Sequence, residues 1–272
     1  MIFYSNYEGY NSSVSYENFA EPPAIDPHSP LSSVRIVNGQ DATKGEFPFI
    51  VSLQNPNSHI CGGSIINEYW ILTAAHCLNY RDPDDMRVKV GKLELKKVED
   101  SEQEILPAAF FIHEKYSEDN SFDIGLIKLQ KPIVFNDLVQ PIELPTAEID
   151  VETPVTLTGW GLIEPSGIET VNILQKAELP IITIEECKEV LDKLGKYFPL
   201  QSYHLCTGNI SGVSGASGDS GSPLVKKADN HSQIVGIAVW AIYPYGVSRA
   251  PTGYMKVSSF IDWIESTMNK NH

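Results

Sequence analysis

Residues 211–225 read Ser-Gly-Val-Ser-Gly-Ala-Ser-Gly-Asp-Ser-Gly-Ser-Pro-Leu-Val, a run made almost wholly of glycine, serine and other small residues. Tracts of this composition usually serve as flexible connectors. This one ends in Pro223-Leu224-Val225 and is followed by Gln233-Ile-Val-Gly-Ile-Ala-Val-Trp240, whose β-branched apolar residues have the pattern of a buried strand. A linker does not normally sit between two core segments, so the run reads as a tight loop in which only small residues fit.

The same texture extends outward from that loop. Short apolar runs at 49–53, 61–66, 87–90, 124–129 and 155–158 alternate with Gly, Pro and Asn turns, the mark of a sandwich or barrel, so the chain is all-β. Two helices interrupt it. Thr183 with Glu186 three residues on has capping-box spacing at the head of 183–191, and Phe260, Ile261, Ile264 and Met268 share one side of a docked C-terminal helix. Residues 1–35 are different: Tyr, Asn, Ser and acidic residues lead into a segment, 21–30, that holds four prolines, which predicts an extended tail with no core of its own.

Of the 272 residues 42% are hydrophobic, enough for a large core. Lys and Arg number 20 against 35 Asp and Glu, a formal charge of −15 that would repel nucleic acid and anionic membranes. No apolar stretch is long enough to span a bilayer, and residues 1–8 lack the pattern of a secretory signal. The four cysteines, Cys61, Cys77, Cys187 and Cys206, form no C-x-x-C knuckle; their even number suits two disulfides, with three connectivities open. Sequons at Asn11, Asn209 and Asn230 agree with export.

Three stretches place polar residues in apolar settings: Ile71-Leu-Thr-Ala-Ala-His-Cys77, Phe122-Asp-Ile-Gly-Leu-Ile127 and Gly218-Asp-Ser-Gly221. Singly, His76, Asp123 and Ser220 would be ordinary core, turn and loop residues. Together they meet a chemical need. A serine hydroxyl is a poor nucleophile until a neighbouring imidazole takes its proton, and a buried carboxylate fixes the imidazole tautomer. Gly218 lets its N–H and that of Ser220 converge as an oxyanion hole.

These motifs, with Arg35-Ile-Val-Asn-Gly39, Cys61-Gly-Gly-Ser64, Thr158-Gly-Trp-Gly161 and Ser259-Phe-Ile-Asp-Trp-Ile264, closely resemble in residues and order those of the chymotrypsin-like serine proteases. The resemblance implies two packed six-stranded antiparallel β-barrels with His76 and Asp123 on the first and Ser220 on the second. It implies bridges Cys61–Cys77 and Cys187–Cys206, and a secreted, monomeric endopeptidase needing no cofactor or metal. Its partners would be protein or peptide substrates and protease inhibitors. It further implies a zymogen, with residues 1–35 as propeptide and 36–272 as protease domain, cut at Arg35-Ile36 by a separate trypsin-like protease so that the new ammonium of Ile36 pairs with Asp219. Ser52 and His59 resemble elements that hold this aspartate in some zymogens.

Trypsin-like members carry Asp six residues before the nucleophile; here that residue is Ser214. With Trp240, and with Ala241 and Thr252 where chymotrypsin has glycines, the pocket is expected to take small or medium apolar side chains, as elastase does, with aromatic ones as the nearest rival. Val239, Ser222 and Ala216 depart from the family pattern, Ala216 replacing a cysteine that ties the pocket walls. Lys92 stands where the loop 91–103 would need a calcium ligand. The alternative function is a non-catalytic homologue that binds partners in a protease cascade.

Overall fold

The computed structural model describes residues 39–56, 58–117, 121–162, 171–208, 213–227, 231–243, 245 and 250–271. Arg35, Ile36, the three sequons and the rest of residues 1–38 lie outside them. The first half of the fold holds strands β1 (Gln40–Asp41), β2 (Ile50–Asn55), β3 (Ser58–Asn67), β4 (Trp70–Thr73), β5 (Arg87–Val90), β6 (Gln103–Ile105), β7 (Pro107–Ile112) and β8 (Gly125–Leu129). The second holds β9 (Pro154–Gly159), β10 (Gln175–Ile182), helix α1 (Ile184–Lys193), β11 (His204–Thr207), β12 (Pro223–Lys227), β13 (Ser232–Ala241), β14 (Thr252–Lys256) and helix α2 (Ile261–Lys270). Every strand pair in the two sheets is antiparallel.

In the second half, β10-β11-β14-β13-β12-β9 close on themselves through the β9–β10 ladder, giving the expected six-stranded barrel with β1 added at β10. The first half is a curled sheet in the order β6-β5-β2-β3-β4-β8-β7. Its two edge strands are separated in the chain by Leu106 alone, so one bent segment pairs with β5 at one end and with β8 at the other. A bend can replace a ladder here because Leu106 turns its carbonyl toward the Gln130 N–H, 2.9 Å away.

Both halves bury apolar side chains at near-zero exposure, including Leu53, Ile65, Ile71, Leu126 and Ile127 in the first and Leu157, Leu224 and Tyr254 in the second. Each fully buried aliphatic side chain contributes roughly 1.5–3 kcal/mol. Helix α1 starts where expected: the Thr183 hydroxyl accepts from the Glu186 N–H while the Glu186 carboxylate accepts from the Thr183 N–H. Helix α2 leaves the barrel and packs on the curled sheet of the first half. Ile264 is fully buried in a core shared with first-half strands, Trp263 donates to Glu114 at 3.1 Å, and Lys128 donates to the Asn271 carbonyl. No helix among the described residues is long and apolar enough to cross a membrane.

Candidate active site

His76 lies in a 3-10 turn, Ala75–Cys77, that directly follows β4. The Cys61–Cys77 bridge staples this turn to β3 and selects one of the connectivities left open by the spacing; Cys187–Cys206 joins α1 to β11. Asp123 precedes β8, the neighbour of β4, so antiparallel pairing brings the two residues together. Its carboxylate is fully buried and accepts twice from the same residue: Oδ1 from the His76 backbone N–H at 2.8 Å, Oδ2 from His76 Nδ1 at 2.6 Å. The other ring nitrogen, Nε2, lies 3.8 Å from the Cys77 sulfur. The nearby Cys61 and Cys77 sulfurs are joined in the disulfide and are not thiolate ligands for a metal.

Phe122, just before Asp123, holds a left-handed φ of 51°, uncommon for an aromatic residue. Packing offsets the strain: its ring stacks on His113 at 4.9 Å, lies tilted against Tyr203 at 4.5 Å and meets Phe260 edge-on at 6.2 Å. Val239 is buried and has no hydroxyl to offer, and both described donors to Asp123 come from His76.

The Gly/Ser run is a tight loop. Gly221, at φ 80°, lies so close to the His76 side that an added Cβ would stand 2.2 Å from Thr73 Oγ1 and 2.5 Å from the Gly62 carbonyl. The Gly62 N–H donates to the Ser220 carbonyl at 2.8 Å, and Gly62 adjoins the bridged Cys61. Ser220 on the second barrel is therefore docked on the strand stapled to His76. Gly218 has φ 97°, in the region that favours glycine. Among the described residues, the N–H groups of Gly218 and Ser220 have no backbone acceptor.

Asp219 is buried at 1% exposure, with Oδ1 accepting from the Gly161 N–H at 2.8 Å and Oδ2 from the Ala216 N–H at 3.0 Å. A Cβ on Gly159 or Gly161 would fall within about 2.3 Å of this carboxylate, which explains the glycines of Thr158-Gly-Trp-Gly161. Burial outweighs the two N–H donors and pushes the carboxyl up to about 6. A shift of this size favours the neutral form by on the order of 3 kcal/mol.

His59 does not hold Asp219. Its Nε2 donates to the Gly218 carbonyl at 2.9 Å and its Nδ1 accepts from Ser52 Oγ at 2.9 Å, with Gln54 donating to Ser52 in turn. Burial drives this imidazole down to about 4, so near neutrality it is uncharged, suited to a carbonyl rather than to a carboxylate. The chain Gln54-Ser52-His59 fixes the Gly218–Asp219 peptide instead.

Ser214, 2% exposed, donates its hydroxyl to the Gly215 carbonyl at 2.9 Å, and the Gly215 N–H donates to Oγ1 of Thr252, 3% exposed, at 3.0 Å. Ala241 pairs with Thr252 across β13 and β14. Trp240 stacks on Phe198 at 4.3 Å, and a Cβ on Gly253 would lie 1.9 Å from the indole. Gly253 thus seats Trp240. A glycine inside a strand was the available signal for it; Phe198, distant in sequence, offered none.

The loop 91–103 holds its own cation. Lys92 Nζ, with its side chain 1% exposed, donates to the Lys97 carbonyl at 2.7 Å and to Glu102 at 2.6 Å. Burial alone would raise Glu102, but hydrogen bonds from Lys92 and Lys89 hold it below the usual carboxylate range. Replacing Lys92 by Met is expected to destabilise the fold by about 2–3 kcal/mol, because Glu102 keeps only Lys89 and the Lys97 carbonyl loses its donor. Urea unfolding checks this, with the exposed Lys97→Met as control.

A family model described as Trypsin matches residues 36–264. The chain belongs to the trypsin family. It is 37% identical over 251 residues to a lectizyme from Glossina austeni, covering 86% of each chain. It is also 34% identical over 248 residues to trypsin-1 of Astacus astacus, covering 85% of this chain and 99% of that one. This trypsin-family protein is a serine endopeptidase, and its mostly β fold with two helices is that of the family.

Proposed function

We propose that Ser220 is the nucleophile, His76 its general base and Asp123 the carboxylate that orients His76, with the Gly218 and Ser220 N–H groups stabilising the tetrahedral oxyanion. The observation that carries this is the paired acceptance of the His76 N–H and Nδ1 by fully buried Asp123, beside a serine loop docked through Gly62. In this reading the Ser220 proton passes to His76 Nε2 as Oγ bonds to the scissile carbonyl. The imidazolium then protonates the leaving amine, and water hydrolyses the acyl-enzyme by the same relay.

The protein is a secreted zymogen in this reading, with 1–35 as propeptide and 36–272 as protease domain. Cleavage at Arg35-Ile36 frees an ammonium whose partner is Asp219, a buried carboxylate that faces no cation among the described residues. Pairing pulls Asp219 back to the ionised form and lifts the ammonium above the ordinary α-amino range of about 7.7–8.0. Because the proton on the ammonium sustains the pair, activity of the cleaved protein is expected to fall as pH rises past that range. A kcat/KM profile against pH, on protein shown to remain folded, measures it.

Substrates are cut after small or medium apolar residues. Ser214 offers a basic side chain no carboxylate, and Thr252 with Ala241 narrows the base. Labelling of Ser220 by an organophosphate after cleavage at Arg35 tests catalysis; folded protein that stays unlabelled returns the protein to the non-catalytic reading. Peptides varied only before the scissile bond test specificity, and preference for Arg or Lys overturns the apolar assignment.

A further inference from the structure

The pocket walls in this chain are not tied covalently. Ala216 lies in one wall, and all four cysteines are committed to bridges elsewhere. The 214–217 segment runs from buried Ser214 to exposed Ser217, and at that outer end it is joined to the chain that follows Trp240 and Ala241 of β13: Ser217 Oγ and the Tyr245 hydroxyl are 2.6 Å apart. Ser217 is held in place by its own carbonyl, which accepts from the Leu162 N–H at 2.8 Å. Tyr245 is braced by Tyr243, ring edge to face at 5.6 Å and 87°. The hydrogen bond from Gly215 to Thr252 adds a tie at the base.

We propose that Ser217 and Tyr245 form a non-covalent clasp across the mouth of the substrate pocket and that the clasp selects the residue before the scissile bond by size. This rests on the reading of Ser214 as the pocket base. A covalent bridge at the mouth would set a fixed aperture. A hydroxyl pair sets a conditional one, in which a small apolar side chain enters with the clasp closed and a large aromatic one must separate the two hydroxyls and leave them to water. A neutral hydrogen bond of this kind is weak, which limits the discrimination to about three- to tenfold. Tyr245 and Ser217 are thus specificity-determining residues, and they act as a pair.

The test uses full-length protein cleaved at Arg35, normalised by active-site titration, on peptides that differ only in Ala, Val, Leu, Phe or Tyr before the scissile bond. In Tyr245→Phe, which removes the hydroxyl and keeps the ring, the ratio of kcat/KM for Phe over Ala should rise about three- to tenfold. Ser217→Ala should raise it equally, and the double variant should rise no further, because one bond is removed once. An unchanged ratio in both single variants, or additive changes in the double, overturns the clasp. Ser214→Asp separates the two readings: if it leaves the preference profile unmoved, the pocket assignment fails. If it shifts the profile while Tyr245→Phe leaves the ratio unchanged, the clasp alone fails.

Discussion

Asp123→Asn is expected to lower kcat about ten-thousandfold with little loss of stability. The two hydrogen bonds from His76 force that outcome, because an amide has one acceptor where the carboxylate has two. The His76 backbone N–H, 2.8 Å from Oδ1, cannot turn away, so the amide oxygen must face it and the NH2 must face Nδ1. Nδ1 then has to accept, which puts the ring proton on Nε2. An imidazole already protonated there cannot take the Ser220 proton. Burst kinetics on a chromogenic peptide, with thermal unfolding as control, would show it; a loss under tenfold in folded protein would remove Asp123 from the mechanism.

Asp219→Asn is the second large effect. Each carboxylate oxygen serves one N–H, from Gly161 and from Ala216, and an amide can satisfy only one of them. On the proposed activation, the variant also leaves the new ammonium of Ile36 no charge to meet. Losing a buried partner of this kind costs about 3–5 kcal/mol, equivalent to at least a hundredfold fall in the population of the working loop. After cleavage at Arg35, active-site titration should find less than a few per cent of the titre of the parent protein. A normal titre would mean that the loop is ordered without the charge.

Much of the site was legible because the chemistry admits few residue types. His76, Asp123 and Ser220 stood out as polar groups in apolar runs, and the structure brings His76 onto Asp123 and docks the Ser220 loop beside them. Thr183 and Glu186 marked a helix start because a capping box is local. What escaped depends on partners far apart in the chain. The left-handed φ of Phe122 follows from Tyr203 and Phe260, the seat of Trp240 from Gly253 and Phe198, and the partner of His59 is a carbonyl 159 positions away. The bend at Leu106 likewise has no periodic signal, since it divides two runs that are each too short to show one. Lys92 is intermediate: its charge marked the loop as unsuited to calcium, and only the fold shows that its ammonium fills the interior.

The docking of helix α2 on the curled sheet has a consequence in time. Phe122, the residue that sets the backbone entering Asp123, is packed by Phe260, and His113 beneath it by Trp263. Both come from the segment 257–270, which leaves the ribosome after every described strand. A nascent chain that has made His76, Asp123 and Ser220 still lacks the aromatic wall that holds Asp123 in register. On the role proposed for Asp123, catalysis therefore waits on the segment made last among the described elements.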